Sequence, residues 1–119
     1  MSDAYPVLQS WRNQALTLPE VHEGTSCNRA SFKIRNKKAF LFTGGDDRGY
    51  LAMVKLEASL SEAIALSDDQ PDSYTVGQHG WVTIRYAPGE LPPEGLLERW
   101  IEESYRLQAP KKLLRELDG

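Results

Sequence analysis

The residues best placed to do chemistry in this chain are a run of cations. Lys33, Arg35, Lys37 and Lys38 follow one another at intervals of one or two residues. The segment 29–55 holds seven basic residues against two acids, whereas the whole chain has a formal net charge of −3. A basic stretch inside an acidic protein indicates a surface that contacts phosphates. The alternative is a solvated strand face whose charges discourage aggregation.

Six basic positions are candidates for nucleic-acid contacts, and one tryptophan is a candidate for stacking on a ligand. The basic positions are Lys33, Arg35, Lys37, Lys38, Lys55 and Arg85. Trp81 has the strand parity of Thr83 and Arg85, which predicts a partly exposed face on which an indole can stack on a base. Trp11 and Trp100 instead follow apolar helical stripes, which favours core packing.

Other reactive residue types lack the companions that catalysis or metal binding requires. Cys27 is the single cysteine, so it forms no internal disulfide, and we interpret it as a small, half-buried strand residue. His22 lies between Glu20 and Glu23 at a spacing that matches no metal-ligand pattern. Residues 44–49 lack the Lys and Ser/Thr of a phosphate-binding loop, which favours a hairpin connection. We therefore predict no catalytic residue, no metal and no cofactor.

Periodicity and turn signals indicate which elements position these residues. Apolar residues at three- to four-residue spacing predict helices over 5–17, from 59 and from 93, and a short last helix over 111–117. Alternation predicts a strand over 31–35, and turn signals together with β-favouring residues predict further strands over 38–43, 50–56 and 81–86. Lys33 and Arg35 are expected on the solvent face of their strand, with a tight turn at residues 36–37.

The second helix shows two local signals. Ser59 and Glu62 have the spacing of a capping box. Leu60, Ala63 and Ile64 are expected to face inward. In the third helix Ser104 has no catalytic companion and is interpreted as a packing residue.

The order of elements predicts one α+β domain over residues 1–119. It has two layers, an antiparallel sheet packed against helices, in the order α-β-β-β(-β)-α-β-α(-α). One buried core is expected from matched strand and helix positions: Phe32, Ile34, Val82, Ile84, Leu97, Trp100 and Ile101. No apolar run is long enough to span a bilayer, and the first residues lack an export signal, so we expect a cytoplasmic protein with no membrane partner.

Six phrases along the chain resemble the MmcQ/YjbR family. They are LPEVHEG (18–24), FKIRNKKAF (32–40), Val54-Lys55, GWVTI (80–84), ESYRL (103–107) and PKKL (110–113). The resemblance covers nearly the whole chain and implies a bacterial-type double-wing fold, similar to CyaY-like and secretion-chaperone-like folds. It implies DNA binding and brings no enzymatic activity or cofactor. Residues 75–80 depart from the family, because they lack the basic residue that members often carry before the Trp.

These observations favour a binding module that contacts DNA or another polyanion through a basic strand face, weakly and without sequence specificity. The acidic remainder repels the same ligand. The alternative is an interaction domain that binds a protein or a small ligand and has no nucleic-acid role. We do not expect an enzyme. A contiguous basic face, not covered by Glu98, Glu102 or Glu103, distinguishes the first hypothesis from the second.

Overall fold

A computed structural model of the chain describes residues 5–119, in which six strands and four helices form two layers. Residues 1–4, which the predicted domain includes, lie outside the described part. The helices are α1 (Pro6–Leu16), α2 (Leu60–Asp69), α3 (Leu96–Gln108) and α4 (Lys111–Asp118). The strands are β1 (Val21–Ser26), β2 (Arg29–Ile34), β3 (Lys38–Asp46), β4 (Gly49–Lys55), β5 (Tyr74–Val76) and β6 (Trp81–Tyr86).

The predicted α+β class and order of elements are confirmed. The optional fourth strand before α2 is present, and the sheet has the order β1-β2-β3-β4-β6-β5 with every pair antiparallel. The structure adds the short strand β5 and a 3-10 turn at Gln78–Gly80. Three residues are too few to show a period, so β5 leaves no signal in the sequence.

The β3–β4 hairpin is tighter than the sequence predicts. Gly44 and Gly45 belong to β3 rather than to a loop, and they pair with Leu51 and Tyr50 across the hairpin. The connection consists of residues 47–48. The glycines therefore mark positions where other side chains pack closely on β3. At Gly45 an added Cβ would lie 3.0 Å from the ring of Tyr5.

A β-bulge in β3 changes which side chains face the helices. Phe32 pairs with Leu41 while the next residue, Lys33, pairs with Ala39, so Phe40 is the extra residue. Phe40 and Leu41 are consecutive and both fully buried, which simple alternation does not permit. After the bulge the alternation resumes, and Phe42 points away from the helices.

The predicted core is confirmed. All seven predicted residues are buried in one hydrophobic cluster, and Trp11 belongs to the same cluster. In α2 the prediction for Ile64 is wrong, because this side chain is 47% exposed. Leu66 packs partly against the core from the same helix.

The predicted capping box at the start of α2 does not form. Ser59 makes no capping hydrogen bond, and its hydroxyl donates to the Glu103 carboxylate at 2.6 Å. Glu62 instead accepts a hydrogen bond from the indole Nε1 of Trp100 at 3.1 Å and pairs with Arg99. The two residues at capping-box spacing therefore both anchor α2 to α3.

The backbone at Gly80 sets the start of β6. Its φ of +82° is a conformation that residues with a Cβ adopt at a cost. Its carbonyl accepts a hydrogen bond from the Leu56 N–H at 2.8 Å, and a Cβ here would lie 2.3 Å from the Leu56 carbonyl oxygen. Only glycine fits this close approach, which places Trp81 opposite Lys55.

Within residues 5–119, none of the helices combines the length and the apolar character that crossing a membrane requires.

Candidate nucleic-acid interface

One face of the sheet packs on the helices and the opposite face, which we call the open face, does not. Ala52, Val54 and Ile84 point into the helix-side core. Strand residues of the other parity lie on the open face. In sheet order they are His22, Gly24 and Ser26; Arg29, Ser31 and Lys33; Ala39, Phe42, Gly44 and Asp46; Leu51, Met53 and Lys55; Trp81, Thr83 and Arg85; and Thr75.

Positive charge dominates the open face. Its basic residues are Arg29, Lys33, Lys55 and Arg85, of which Arg85 is exposed and the other three are half-buried. None of the four makes an ion pair within residues 5–119. Among the strand residues that form this face within residues 5–119, the one acid is Asp46, at the far end of β3, where its carboxylate accepts a hydrogen bond from the backbone N–H of Arg48.

The centre of the open face is apolar and aromatic. Phe42 and Trp81 pack together with ring centroids 5.9 Å apart and planes inclined at 54°. Met53 lies beside Phe42 in the register, and Leu51 follows on the same strand. All four side chains are half-buried. The predicted position of Trp81 on a partly exposed face is therefore confirmed, and Phe42 is a partner that the sequence reasoning missed.

Three of the predicted residues, Lys33, Lys55 and Trp81, lie at one end of this face. Lys33 on β2 pairs with Ala39 on β3, and Lys55 on β4 pairs with Trp81 on β6. The small side chain of Ala39 leaves space between the two lysines. Arg85 lies at the opposite end, four residues along β6 from Trp81.

Arg29 belongs to the open face although it was not among the candidates. It begins β2, two residues earlier than the strand predicted from alternation. Its guanidinium donates a hydrogen bond to the Met53 sulfur at 3.3 Å, and its stem covers Gly44. The alternation signal is weak here because Ala30 is small and Ser31 is polar, although Ser31 is buried.

The prediction that Arg35 shares a strand face with Lys33 is wrong. Strand β2 ends at Ile34, and Arg35 and Asn36 both have positive φ, at 54° and 58°. Two such residues form the tight turn that joins antiparallel strands. The turn therefore begins one residue earlier than predicted. Lys37 and Lys38 follow it and are exposed at the same end of the sheet as Lys33.

Arg35 also differs from the other candidates because it has an acidic partner, Glu20. Its guanidinium makes two hydrogen bonds to the Glu20 carboxylate, at 3.0 and 3.4 Å. The backbone N–H of Arg35 donates to the Glu20 carbonyl as well. Both side chains are exposed enough for solvent to screen the pair, so it holds the turn more than it stabilises the fold.

The acids of α3 do not cover the open face. Glu98 accepts a hydrogen bond from the Trp11 indole, and Glu102 pairs with Arg106. Glu103 accepts hydrogen bonds from the backbone N–H groups of Glu57 and Ser59 at 2.8 and 3.1 Å. Burial alone would raise the pKa of Glu103, but these bonds and the Ser59 hydroxyl lower it below its usual value.

The ESYRL phrase has a structural explanation at each polar position. Beyond Glu103, the Ser104 hydroxyl bonds the β3 backbone, and the Tyr105 hydroxyl donates to the Pro19 carbonyl at 2.8 Å. Arg106 bridges Glu102 and Asp118, joining α3 to α4. Ser104 is thus a packing residue, as predicted, and this phrase holds the helices on the sheet.

Cys27 is not the half-buried strand residue that the sequence suggests. It is exposed, and it lies with Asn28 in the β1–β2 turn, where both residues have positive φ. His22 is exposed on the open face beside Lys33. Within residues 5–119 no group of three or more His, Cys, Asp or Glu side chains is arranged to hold a metal ion.

A cleft of about 770 Å³ lies between α1 and the end of the β3–β4 hairpin. Its charged lining includes Arg12 and Glu23, which pair with each other at 2.7 Å. Because Arg12 and Glu23 bind each other, their charges are already compensated without a small polar ligand. The cleft therefore gives less support to a ligand site than the open face does.

The fold and this site define a small α+β protein whose sheet presents a basic and aromatic face that no helix within residues 5–119 covers. The YjbR family model matches residues 16–107, and the chain belongs to this family. A search of curated proteins finds no match to the sequence.

Proposed function

We propose that this YjbR protein binds nucleic acid weakly and with little sequence preference through the open face. The observation that carries the proposal is the set of four cations on this face, none of which has an acidic partner within residues 5–119. Mutual repulsion among unpaired cations on one face raises the free energy of the protein. A polyanion compensates that repulsion and releases its own counterions.

The spacing of these cations suits a phosphate backbone. Arg29 and Lys33 are four residues apart on β2, which corresponds to about 13 Å along the strand. Arg85 lies on β6, three strand spacings or about 14 Å from Arg29. Lys55 lies between these strands on β4. A chain of phosphates crossing the sheet therefore meets a cation near each edge of the face and one in between.

The β2–β3 turn extends the basic surface. Lys37 and Lys38 are exposed at the end that holds Lys33 and Lys55, and we propose that they add phosphate contacts there. Arg35 contributes less because Glu20 already engages its guanidinium. Contacts of this kind position a backbone and carry no sequence information.

The proposed function is binding rather than catalysis, and we propose the cytoplasm as its location. Nucleic acid is present there, and a reducing compartment keeps the exposed Cys27 thiol reduced.

Fluorescence anisotropy with labelled oligonucleotides at low salt tests the proposal. A Lys33→Ala, Lys55→Ala, Arg85→Ala triple variant should lose most of the binding. The matched control is Lys111→Ala, Lys112→Ala, Arg115→Ala, which removes the same charge from exposed positions of α4. It should lose much less. Absence of wild-type binding at low salt, or equal losses in the two variants, would contradict the proposal.

A protein partner is the second candidate, and the apolar centre of the open face favours it. Leu51 and Met53 continue the surface of Phe42 and Trp81. Half-buried apolar side chains surrounded by charge are typical of interaction surfaces. This reading survives if the anisotropy experiment shows no nucleic-acid binding.

A further inference from the structure

We infer that the ligand of the open face is single-stranded nucleic acid whose unpaired bases stack on Phe42 and Trp81. The inference rests on the proposed function and specifies it. Cations alone would suit a duplex or any other polyanion. The aromatic pair at the centre of the face is the observation that selects among them.

The aromatic pair lies within the frame of cations. Trp81 on β6 is directly opposite Lys55 on β4, and Phe42 on β3 is opposite Met53, which also belongs to β4. Lys33 approaches the pair from the β2 side, and Arg85 from the far end of β6. A single nucleic-acid strand that places its bases over the two rings therefore has cations on both sides for its phosphates. This is the combination of stacking surface and electrostatic groove that binds single strands.

A duplex fits this face less well. Its bases are stacked internally, and it would bring a charged backbone against Phe42, Trp81 and Met53 at the centre. Within residues 5–119 the open face consists of strand residues, so it presents no helix that could enter a groove. An antiparallel sheet that carries aromatic residues on an open face instead receives splayed bases.

The bulge in β3 is what makes this pair possible. In a regular strand without the bulge, Phe42 would lie on the same face as Phe40 and would point into the core. The bulge sends Phe42 to the open face, where its ring reaches Trp81 across β4. The position of Phe42 is thus built into the backbone.

Tryptophan fluorescence provides a direct readout. Trp11 and Trp100 are fully buried, whereas Trp81 is half-buried on the open face. Titration with an oligothymidylate should quench the emission of Trp81 and leave the other two unchanged. A duplex of the same length should quench it far less, and inorganic polyphosphate, which has no bases, should not quench it.

Two substitutions separate stacking from folding. Trp81→Phe keeps an aromatic ring, so it should retain oligothymidylate binding within about threefold while losing the quenching. Trp81→Leu and Phe42→Leu should each weaken binding by about fivefold or more, since one stacked base contributes roughly this factor at least. Thermal unfolding of each variant confirms that the fold is retained.

The outcomes distinguish the two proposals. Tighter binding of the single strand, with quenching that Trp81→Phe abolishes, supports the inference. Equal binding of oligothymidylate, duplex and polyphosphate without quenching would overturn it and leave the proposed function standing. Loss of all binding, including polyphosphate, would overturn both.

Discussion

Ser104 on α3 bridges the backbones of Phe40 on β3 and Lys55 on β4, beside the β-bulge. Its hydroxyl donates to the Phe40 carbonyl oxygen at 2.6 Å and accepts the Lys55 backbone N–H at 2.9 Å. The ladder between β3 and β4 ends at the pair of Leu41 and Val54, so these two groups lie just beyond its last pair. One turn further along α3, Gln108 donates to the Ala39 carbonyl at 3.1 Å. The helix therefore supplies the hydrogen bonds that the sheet lacks at this point.

Replacing Ser104 by alanine should destabilise the protein by about 1–3 kcal/mol, because a buried carbonyl and a buried N–H lose their partner. Urea unfolding measures the change. Ser61→Ala, at an exposed position of α2, is the control and should change stability by no more than about 0.5 kcal/mol. Faster exchange of the Lys55 amide hydrogen should accompany the Ser104 loss. A Ser104→Ala protein as stable as the Ser61→Ala control would contradict this account of the bulge.

The Ser104 contact also shows why part of the site was not predictable. Residues 39–42 are all apolar, so alternation does not reveal which of them face the helices. The bulged residue Phe40 contacts Ser104, a residue 64 positions away. Phe42 therefore could not be assigned to the open face from local pattern. Trp81 could, because it lies in a strand that alternates without interruption.

The helices and the core were predictable because their patterns are local and do not depend on contacts with distant residues. Trp100 and Ile101 lie on a wide apolar stripe, and Val82 and Ile84 alternate with Thr83, so each element indicates its buried side by itself. Arg35 was misplaced because the turn begins one residue earlier than Asn36 suggests. Which two residues adopt positive φ depends on pairing with β3, which the sequence of the turn does not specify.

The core assignment makes a quantitative prediction. Ile84→Ala and Ile101→Ala should each cost about 2–5 kcal/mol, because both side chains are fully buried in the same cluster. Ile64→Ala is the control, since Ile64 is 47% exposed, and it should cost less than about 1 kcal/mol. Denaturant unfolding compares the three. Losses below about 1 kcal/mol for both buried residues would show that they do not belong to one core.

Two glycines with nearly equal φ allow backbone strain to be separated from steric clash. Gly80 and Gly89 have φ of +82° and +85°, but a Cβ at Gly80 would lie 2.3 Å from the Leu56 carbonyl oxygen, whereas nothing lies within 4 Å at Gly89. Gly89→Ala should cost about 1–2 kcal/mol from φ alone. Gly80→Ala should cost clearly more by thermal or urea unfolding, since the clash adds to the same strain. Equal losses would mean that the chain relaxes around Leu56.

The lowered pKa of Glu103 predicts a pH-dependent contribution to stability. A carboxyl with a depressed folded-state pKa stabilises the fold above its unfolded pKa of about 4, and this contribution is lost as pH falls through the folded value. Glu103→Gln should therefore be less stable than wild type by about 1 kcal/mol at pH 6, and the difference should shrink at pH 3. Urea unfolding at the two pH values checks this.

The control for the Glu103 experiment is Glu94→Gln. Glu94 is exposed, and its carboxylate makes no hydrogen bond or ion pair within residues 5–119. This variant should follow wild type at both pH values. A Glu103→Gln deficit that persists unchanged at pH 3 would show that packing, and not the charge of the carboxylate, is responsible.

The open face predicts a defined salt dependence for nucleic-acid binding. The four cations of the open face account for a slope of about 3 for a single strand and about 4 for a duplex when log Kd is plotted against log salt, and each phosphate contact that Lys37 or Lys38 adds should raise the slope by about one. Affinity at physiological salt should stay in the non-specific range of about 10⁻⁴ to 10⁻⁶ M, because the rest of the chain is acidic. Lys33→Ala should reduce the slope by about one, whereas Lys111→Ala on α4 should leave it unchanged. Anisotropy titrations at four or more salt concentrations measure these slopes. A slope near zero would show that phosphates do not drive binding, and an equal effect of the two substitutions would show that overall charge, rather than the open face, determines it.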